Sequence, residues 1–288
     1  MTAEAPILYL NGEYVDAASA TVSVDDRGFL FADACYEVTA VFDGVSIALD
    51  RHLARLQRGL DELRIEFDTS VLVPIHHELI DRNGLADSPR ASVYVQVTRG
   101  VAPRSHAFPS DVAPTVLARV QAIPLSSSAV VERGARAITL PDERWGRVDI
   151  KTTGLLPNVL AQQAAVDAGA DDVILHLDGM ITEGSRTNVM GVLDGAVVTA
   201  PSDRRILGGV TRSIVLELAT AAGLEVEERD WSVGELHLAD EVLLTSTTAG
   251  VRPVVEIDGG PVGTGERGPV TQRLQAAYAD FVADHIRG

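Results

Sequence analysis

The apolar positions of the first 120 residues alternate around two turn-forming dipeptides, and each place predicts a β-hairpin. Asn11-Gly12 and Asp43-Gly44 both favour the type I′ turn, which joins two antiparallel strands. Leucines at 53, 56, 60 and 63 then share one helical face, which predicts a helix with Asp50 as its N-cap. The strands predicted around the two turns are 7–10, 13–15, 36–42 and 45–49.

A second helix is predicted over 70–82, because Asn83-Gly84 is a helix-ending pair. Apolar alternation predicts strands over 92–98 and 115–120, with a long loop at 99–114 between them. Beyond a Pro- and Ser-rich stretch, the pattern predicts three more helices, at 156–168, 211–222 and 270–286. Strands are predicted at 135–140, near Lys151, and at 173–177, 189–193, 196–199, 225–228, 242–245 and 254–257.

This mixture of strands and helices predicts an α/β protein of two domains. The chain has 288 residues, more than one average domain. The Pro- and Ser-rich stretch at 123–128 is typical of a connection between domains. We therefore predict a domain at 1–121, a linker at 122–130 and a second domain at 131–288.

Composition argues against several functional classes. A formal net charge of −17 opposes binding to a phosphate backbone, so no nucleic-acid partner is expected. No apolar run is long enough to span a membrane, and residues 1–30 lack a signal-peptide layout, so no membrane association is expected. The single cysteine, Cys35, excludes an internal disulfide and favours the cytoplasm. Cys35 is either the nucleophile of a hydrolase or a small buried apolar residue.

Lys151 is the only lysine in the chain, since the other 23 of the 24 Lys and Arg residues are arginines. Arginine can replace lysine as a surface cation, but it neither loses its proton at ordinary pH nor forms an imine with a carbonyl. A single retained lysine therefore indicates amine chemistry, either a Schiff base or a proton transfer. The alternative is a surface lysine that persists by chance.

Two polar stretches could bind an anion. Gly208-Gly209-Val210-Thr211 leads directly into a predicted helix, so backbone N–H groups, the helix dipole and a hydroxyl converge there. Thr245-Ser246-Thr247-Thr248 follows an apolar strand and could add further donors. An ordinary Gly-rich loop and a polar turn remain the alternatives. The seven histidines show no metal-binding spacing, and a Gly-x-Ser-x-Gly nucleophile motif is absent, so a catalytic metal is not expected.

Two further stretches carry candidate charges. Glu183 lies in a polar stretch at 182–188, where it could pair with a protonated ring nitrogen or be a solvated loop acid. Arg104 and His106, two residues apart in the loop at 99–114, would point the same way in an extended segment. They could clamp a substrate carboxylate. A Pro-rich surface loop with incidental basic residues is the alternative.

Together these motifs resemble the class IV, or fold-type IV, aminotransferases, which use pyridoxal 5′-phosphate (PLP). Within that family the chain is most similar to the D-amino acid aminotransferases. The resemblance covers residues 10–274 and implies a smaller N-terminal α/β domain, a larger C-terminal pseudo-barrel domain and a cytoplasmic homodimer. The matching motifs are Arg147-x-Asp149-Ile150-Lys151, Leu155-Leu156-Pro157-Asn158, Thr182-Glu183-Gly184-Ser185, Ile206-Leu207-x-Gly209-Val210-Thr211-Arg212 and Thr245-Ser246-Thr247-Thr248.

The resemblance implies a role for each candidate residue. Lys151 would bind PLP as a Schiff base and carry the proton between the substrate and the cofactor, while Glu183 would keep the ring nitrogen protonated. Tyr36, Arg104 and His106 would bind the α-carboxylate of a D-amino acid, with 2-oxoglutarate or pyruvate as the acceptor. The other implied cofactor contacts are Arg55, Val210, Thr211 and Thr247 at the phosphate, Leu207 at the ring face, and Ser185.

Several alternatives remain open at this stage. The same fold includes transaminases of branched-chain L-amino acids and of (R)-amines, and aminodeoxychorismate lyases, none of which is expected to need the clamp of Arg104 and His106. A non-catalytic cofactor-binding module would not need both Lys151 and Glu183.

Two departures from the family pattern stand out. Ala32-Asp33-Ala34 replaces the usual Gly-Asp-Gly, and Arg186 stands where relatives have Ser or Gly. Arg186 either borders the cofactor pocket or extends into solvent.

Overall fold

The computed structural model describes residues 6–123 and 133–288. Its contacts divide the chain into two units: Met1–Pro124 with Ile150–Gly154, and Leu125–Asp149 with Leu155–Gly288. The short segment that contains Lys151 is thus grouped with the N-terminal part of the chain. The predicted linker at 122–130 lies almost wholly outside the described residues, so the predicted domain boundary stays a prediction.

The first unit is built on a six-stranded antiparallel sheet with the order β2-β1-β6-β5-β3-β4. Its helices are a short α1 (Arg27–Phe31), α2 (Leu49–Leu63) and α3 (Leu72–Arg82), the last preceded by a 3-10 turn at Thr69–Val71. The strands are β1 (Ile7–Leu10), β2 (Glu13–Asp16), β3 (Ala34–Phe42), β4 (Val45–Ser46), β5 (Ala91–Thr98) and β6 (Thr115–Ala122).

The leucine face of α2 packs against this sheet as predicted. Leu53, Leu56 and Leu60 are buried in one cluster with the valines of β5 and β6, and Ile150 joins the same cluster. The backbone N–H of Tyr36 donates to the carbonyl of Lys151 at 3.0 Å. The segment at 150–154 is therefore fixed to strand β3 by apolar packing and by a hydrogen bond.

Three local predictions for the first unit were wrong. Helix α2 begins at Leu49 after Ala48 in the left-handed region, and Asp50 lies in its first turn instead of capping it. Strand β4 has only two residues, because the chain enters α2 at Leu49. Lys151 is not in a regular strand, since the segment makes only an isolated bridge between Cys35 and Thr152.

The second unit contains a nine-stranded mixed sheet with the order β12-β11-β10-β13-β14-β7-β8-β9, and β15 pairs with β14. The N–H of Gly184, at the end of β9, donates to the carbonyl of Thr187 at 2.7 Å, just before β10. Through this turn β9, at one edge of the sheet, leads into β10, nearer the other edge, and the sheet is curled into a half barrel. Its strands are β7 (Ala135–Pro141), β8 (Asp172–Leu177), β9 (Met180–Gly184), β10 (Asn188–Leu193), β11 (Ala196–Thr199), β12 (Val226–Glu228), β13 (Glu241–Ser246), β14 (Gly250–Ile257) and β15 (Gly260–Pro261).

Helices cover the curled sheet of the second unit. Within the described part of this unit they are α4 (Leu156–Asp167), α5 (Val210–Ala221), α6 (Val233–Leu238) and α7 (Pro269–Arg287). Strand β9 and helix α6 were not predicted, although Ser232 and Glu235 form a capping box that the sequence displays. Among the helices described, none combines the length and the apolar composition that a membrane crossing requires. The combination of helices with a curled mixed sheet agrees with the predicted α/β fold.

Candidate active site

Lys151 faces an aromatic pair in the first unit. Its Nζ lies 3.2 Å from the hydroxyl oxygen of Tyr36 and 4.2 Å from the centroid of that ring. Tyr36 stacks on Tyr94, with 5.6 Å between the ring centroids. The hydroxyl of Tyr94 donates to Oε1 of Gln96, and burial raises the pKa of Tyr94 to about 12. The amine of Lys151 thus lies against an aromatic surface with a hydroxyl within hydrogen-bond distance.

A buried polar triad lies on the opposite side of β3 from Tyr36, because adjacent side chains of a strand alternate in direction. Glu37 accepts from Arg55 through both oxygens, with Nε at 2.6 Å and Nη2 at 2.9 Å, and lies 2.8 Å from Nδ1 of His52. Burial raises the pKa of Glu37, but the charge of Arg55 and the contact with His52 outweigh it and hold that pKa below its usual range.

Arg55 was predicted from the family resemblance as a phosphate ligand, whereas Glu37 and His52 were not predicted at all. Glu37 is 1% exposed, so its charge is stabilised chiefly by Arg55 and His52. The only sequence signal for this triad is the spacing of His52 and Arg55, which puts both on one face of α2. The triad fixes the guanidinium of Arg55 in a single orientation.

Glu183 is buried in strand β9 of the second unit, so it is not a solvated loop acid. Its Oε2 accepts from the backbone N–H of Leu207 at 2.9 Å and from Nδ2 of Asn188 at 2.8 Å. Its Oε1 is paired with Nη1 of Arg144, which in turn binds Asp142. Burial raises the pKa of Glu183, and the charge of Arg144 opposes this rise. The sequence did not single out Arg144 or Asn188 as partners.

Helix α5 begins at Val210, directly after Gly208-Gly209 as predicted, and its start lies beside Glu183. Its N-cap is Gly209, no side chain caps it, and Val210 and Thr211 are buried in its first turn. A Cβ atom on Gly209 would lie 2.0 Å from Oδ1 of Asn188, so the close approach requires glycine. Asn188 also donates to the carbonyl of Leu207 at 2.8 Å. The N-terminus of the helix and the carboxylate of Glu183 are therefore held by a single amide side chain.

The stretch Thr245-Ser246-Thr247-Thr248, at the end of β13, lies near the start of helix α5. Thr245 pairs in register with Asn188 across strands β13 and β10. Its hydroxyl is buried and makes no hydrogen bond within the part of the chain that the structure describes. Thr247, two residues further on, is half-buried. A buried hydroxyl of this kind fits a bound polar group.

Ser185 and Arg186 follow Glu183 but differ in environment. The hydroxyl of Ser185 lies 2.7 Å from Oε1 of Gln162 and 3.3 Å from Oδ1 of Asp172. It thus has hydrogen-bond partners within the chain. Its carbonyl accepts from Nδ2 of Asn158 at 2.7 Å. Arg186 is exposed. Ser185 therefore stabilises the turn after Glu183, and Arg186 extends away from it.

Arg104 and His106 contact the same side chain in the first unit. The guanidinium of Arg104 lies 5.2 Å from the ring centroid of Phe31, and the ring of His106 lies 5.5 Å from it. The two side chains thus lie on one side of their loop, as the spacing predicts. Tyr36 contacts Tyr94 and Lys151 instead, so the structure does not gather the three residues of the expected carboxylate site into one cluster.

Two other candidate chemistries are not supported. Cys35 is 1% exposed, and burial raises the pKa of its thiol to about 12, so it lacks the reactive thiolate of a hydrolase. Within residues 6–123 and 133–288, no group of three or more His, Cys, Asp or Glu side chains could hold a metal ion.

Comparison with known proteins identifies the family. Residues 34–257 match the family described as amino-transferase class IV. The chain belongs to this family. It is 40% identical over 274 residues to a D-alanine aminotransferase of Bacillus licheniformis, and this alignment covers 94% of the chain and 95% of that protein. A D-alanine aminotransferase of Staphylococcus haemolyticus is 37% identical over 278 residues, with 96% and 97% covered.

Two solved structures with the same fold are branched-chain amino acid aminotransferases. The enzyme from Escherichia coli superimposes with a TM-score of 0.86 at 26% identity, covering 96% of this chain and 93% of that one. The T.th. enzyme with pyridoxamine 5′-phosphate gives a TM-score of 0.86 at 28% identity, with 96% and 93% covered. The fold-type IV architecture is thereby confirmed, and the protein is a PLP-dependent aminotransferase.

The described residues fit PLP, each unit by its own features. The second unit has a buried carboxylate, Glu183, and an uncapped helix start at Gly209, where backbone N–H groups favour an anion such as phosphate. The first unit carries the only amine side chain, at Lys151, beside the hydroxyl of Tyr36. These are the three kinds of group that an aldehyde, a ring nitrogen and a phosphate require.

Proposed function

We propose that this aminotransferase acts on D-amino acids and passes the amino group to a 2-oxo acid such as 2-oxoglutarate or pyruvate. The observation that carries the proposal is the pair of basic side chains, Arg104 and His106, which lie together against Phe31. Two cationic or hydrogen-bonding groups on one side of a loop suit a carboxylate. The names of the D-alanine aminotransferases at up to 40% identity support the same choice.

Lys151 is proposed as the catalytic residue. Its amine would hold PLP through the cofactor aldehyde, since Lys151 is the only lysine of the chain. When bound, PLP supplies an electron sink that stabilises negative charge on the substrate Cα. The Nζ atom of Lys151 would take the proton from the substrate Cα and return it on the way to the product. The hydroxyl of Tyr36, 3.2 Å from Nζ, holds that amine in place.

Glu183 is proposed to hold the proton on the pyridine nitrogen of the cofactor. Its two oxygens are oriented by Arg144, Asn188 and the N–H of Leu207, so the carboxylate cannot turn away. Leu207 would pack on the ring face, and Ser185 stabilises the turn that follows Glu183. The phosphate ligands proposed are Arg55, Val210, Thr211 and Thr247.

The proposed substrate ligands are Tyr36, Arg104 and His106.

The proposed assembly is a homodimer in the cytoplasm. The apolar side chains that α4 leaves exposed, Leu156 at 69% and Leu160 at 61%, support a surface covered by a second copy. Size-exclusion chromatography with light scattering tests this, and a monomer at micromolar concentration contradicts it.

A branched-chain L-amino acid specificity is the second candidate, because the matched solved structures carry that name. A half-reaction separates the candidates. The purified holoenzyme is mixed with one amino acid and no 2-oxo acid, and the visible absorption of the bound cofactor is followed. Loss of the band with D-alanine or D-glutamate, and not with L-leucine or an (R)-amine, is the expected result. Loss with L-leucine alone contradicts the proposal.

A further inference from the structure

Two arginines of the first unit, Arg27 and Arg99, bind the carboxylate of Asp33. Oδ2 of Asp33 accepts from Nε of Arg27 and from Nε of Arg99, each at 2.7 Å, and Oδ1 accepts from Nη2 of Arg99 at 3.0 Å. The three side chains are 9%, 4% and 7% exposed in the order Asp33, Arg27, Arg99. Burial raises the pKa of Asp33, but the two arginines outweigh it and hold that pKa below its usual value. Asp33 is therefore ionised at neutral pH.

The outer end of Arg27 binds the loop that carries Arg104 and His106. Nη1 of Arg27 donates to the carbonyl of Ser105 at 2.6 Å, and the carbonyl of Ala107 lies 3.5 Å from the same nitrogen. These two carbonyls stand on either side of His106. A guanidinium can bind Asp33 with one edge and the loop with another because its five donors form a rigid planar fork.

The helix that carries Arg27 also supplies the surface on which the two candidate ligands rest. Phe31, at the end of α1, contacts Arg104, His106 and Arg27, the last at 4.9 Å. The helix itself is fixed at its start by Asp26, which is fully buried. Its carboxylate accepts from the N–H of Gly28 and from the hydroxyls of Thr98 and Thr115. Helix α1 is thus a rigid support for the loop.

Arg99 has a different set of partners, although it shares Asp33. Its remaining donors reach the carbonyls of Leu63 and Arg64, at the end of α2, at 2.6 and 3.0 Å. Its guanidinium lies over Phe108, 3.7 Å from the ring centroid. Arg99 therefore fixes the end of β5 to α2, whereas Arg27 is the residue whose donors meet the backbone beside His106.

We propose that Arg27 is a positioning residue for the substrate carboxylate. Oriented by Asp33, it holds the backbone on both sides of His106 and so keeps Arg104 and His106 on the face of Phe31. This inference rests on the proposed function, because it takes those two residues as carboxylate ligands. Lysine at position 27 would keep the charge but could not bind Asp33 and the loop carbonyls with the same planar fork.

The first test needs no activity. Trypsin cleaves after Arg104, and cleavage requires the Arg104–Ser105 peptide to leave the native conformation that Arg27 holds. In the Arg27→Lys holoenzyme we expect cleavage at this bond to be about 10-fold faster, the effect of losing one hydrogen bond to a charged group. Arg119→Lys, which loses only an exposed bond to Gln121, is the control and should cleave at the wild-type rate. An unchanged rate in Arg27→Lys overturns the proposal whatever the substrate is.

The second test separates positioning from general damage. For a D-amino acid, Arg27→Lys should raise KM about 10-fold while kcat stays within about threefold, since the lost contacts serve binding. The absorption band of the bound cofactor without substrate should match that of the wild type, because the lost contacts lie in the loop that carries the carboxylate ligands. Faster cleavage with an unchanged KM overturns the carboxylate role of the loop, and with it the proposed substrate site. Should Arg27→Lys fail to fold, Asp33→Asn removes the partner that orients Arg27 and is expected to change cleavage and KM in the same direction.

Discussion

The amine of Lys151 and the hydroxyl of Tyr36 lie 3.2 Å apart, although 115 positions separate them in the sequence. Their backbones are also joined, because the N–H of Tyr36 donates to the carbonyl of Lys151. The only lysine of the chain is therefore fixed by its main chain and by its side chain to one residue of β3. An amine held in this way is ready for reaction without further ordering.

Lys151→Arg should abolish function and leave the fold intact. Arginine keeps the positive charge and most of the length of the side chain, but it cannot form an imine or accept a proton at neutral pH. We expect no visible cofactor band after reconstitution and no measurable turnover, with unchanged circular dichroism. A variant that is yellow and active would contradict the assignment of Lys151.

Tyr36→Phe is the matched control, since it retains the amine and the aromatic surface and removes only the hydroxyl. A hydrogen bond contributes about 0.5–1.5 kcal/mol, so kcat/KM should fall about 2- to 10-fold while the cofactor band remains. Loss of the band in Tyr36→Phe would instead mean that the hydroxyl is needed for cofactor binding itself.

Gly209→Ala should weaken cofactor binding, because the added methyl group would lie 2.0 Å from Oδ1 of Asn188. Asn188 would have to move, and its hydrogen bonds to Glu183 and Leu207 would be lost or lengthened. Gly209 has φ −67° and ψ 131°, which alanine adopts readily, so backbone strain does not contribute.

Gly208→Ala provides the control one residue away. Its Cβ would meet only the hydroxyl oxygen of Ser202 at 3.2 Å, and that side chain can rotate. In a titration of the apoenzyme with PLP, we expect at least about a 10-fold higher Kd for Gly209→Ala and little change for Gly208→Ala, in line with the loss of one or two hydrogen bonds. Equal effects of the two variants would refute the role of Asn188.

Most regular elements could be predicted from the sequence because their signals are local. The turns at Asn11-Gly12 and Asp43-Gly44 have the positive φ that these dipeptides favour, and the leucines of α2 are buried or half-buried. Strand β9 was missed for the opposite reason. Its polar residues, Thr182 and Glu183, are typical of a loop, and their burial depends in part on Arg144 and Asp142, which lie 39 and 40 positions away in the chain.

The candidate site was predicted unevenly for the same physical reason. Lys151 stands out by composition and the start of α5 by its glycines, both of which are visible in a short stretch. Glu37 and Arg144 act through contacts with residues 15 to 39 positions away, which no local pattern reveals. The start of helix α2 could not be predicted from the sequence, because Ala48 adopts a left-handed conformation that alanine does not favour.

The buried imidazole of His76 should make the protein less stable in mild acid. Burial lowers its pKa to about 4, against an ordinary value of 6.5, and its Nδ1 lies 2.8 Å from the carbonyl of Leu72. Between these two values the unfolded chain binds a proton that the folded chain does not. The free energy of unfolding therefore falls as pH decreases from 6.5 to 4, by about 3 kcal/mol in total from this residue.

His76→Leu should remove this contribution and flatten the dependence of stability on pH over the same interval. Urea unfolding at several pH values measures it. His77→Leu is the control, because His77 is adjacent but exposed and should keep the wild-type slope. A His76→Leu protein that loses stability as steeply as wild type would show that other groups dominate.

Asp172→Asn should destabilise the protein strongly, and the neighbouring Asp171→Asn should not. Asp172 is fully buried and paired with Nη2 of Arg252, whose side chain is 9% exposed. Removing the charge of Asp172 leaves Arg252 buried without its counter-ion, which costs about 3–5 kcal/mol. Asp171 pairs with Arg133, which is 48% exposed, so the loss there should be about 1 kcal/mol or less.

The double variant Asp172→Asn, Arg252→Met tests the cause of this destabilisation. If an uncompensated charge is responsible, removing Arg252 as well should recover part of the stability, because no isolated guanidinium then remains buried. Chemical denaturation of the four proteins in the cycle gives the coupling energy of the pair. Strictly additive losses would contradict the pairing. Asp172→Asn should also disturb the turn after Glu183, because the hydroxyl of Ser185 in that turn contacts Asp172. Cofactor affinity should therefore fall in Asp172→Asn and stay unchanged in Asp171→Asn.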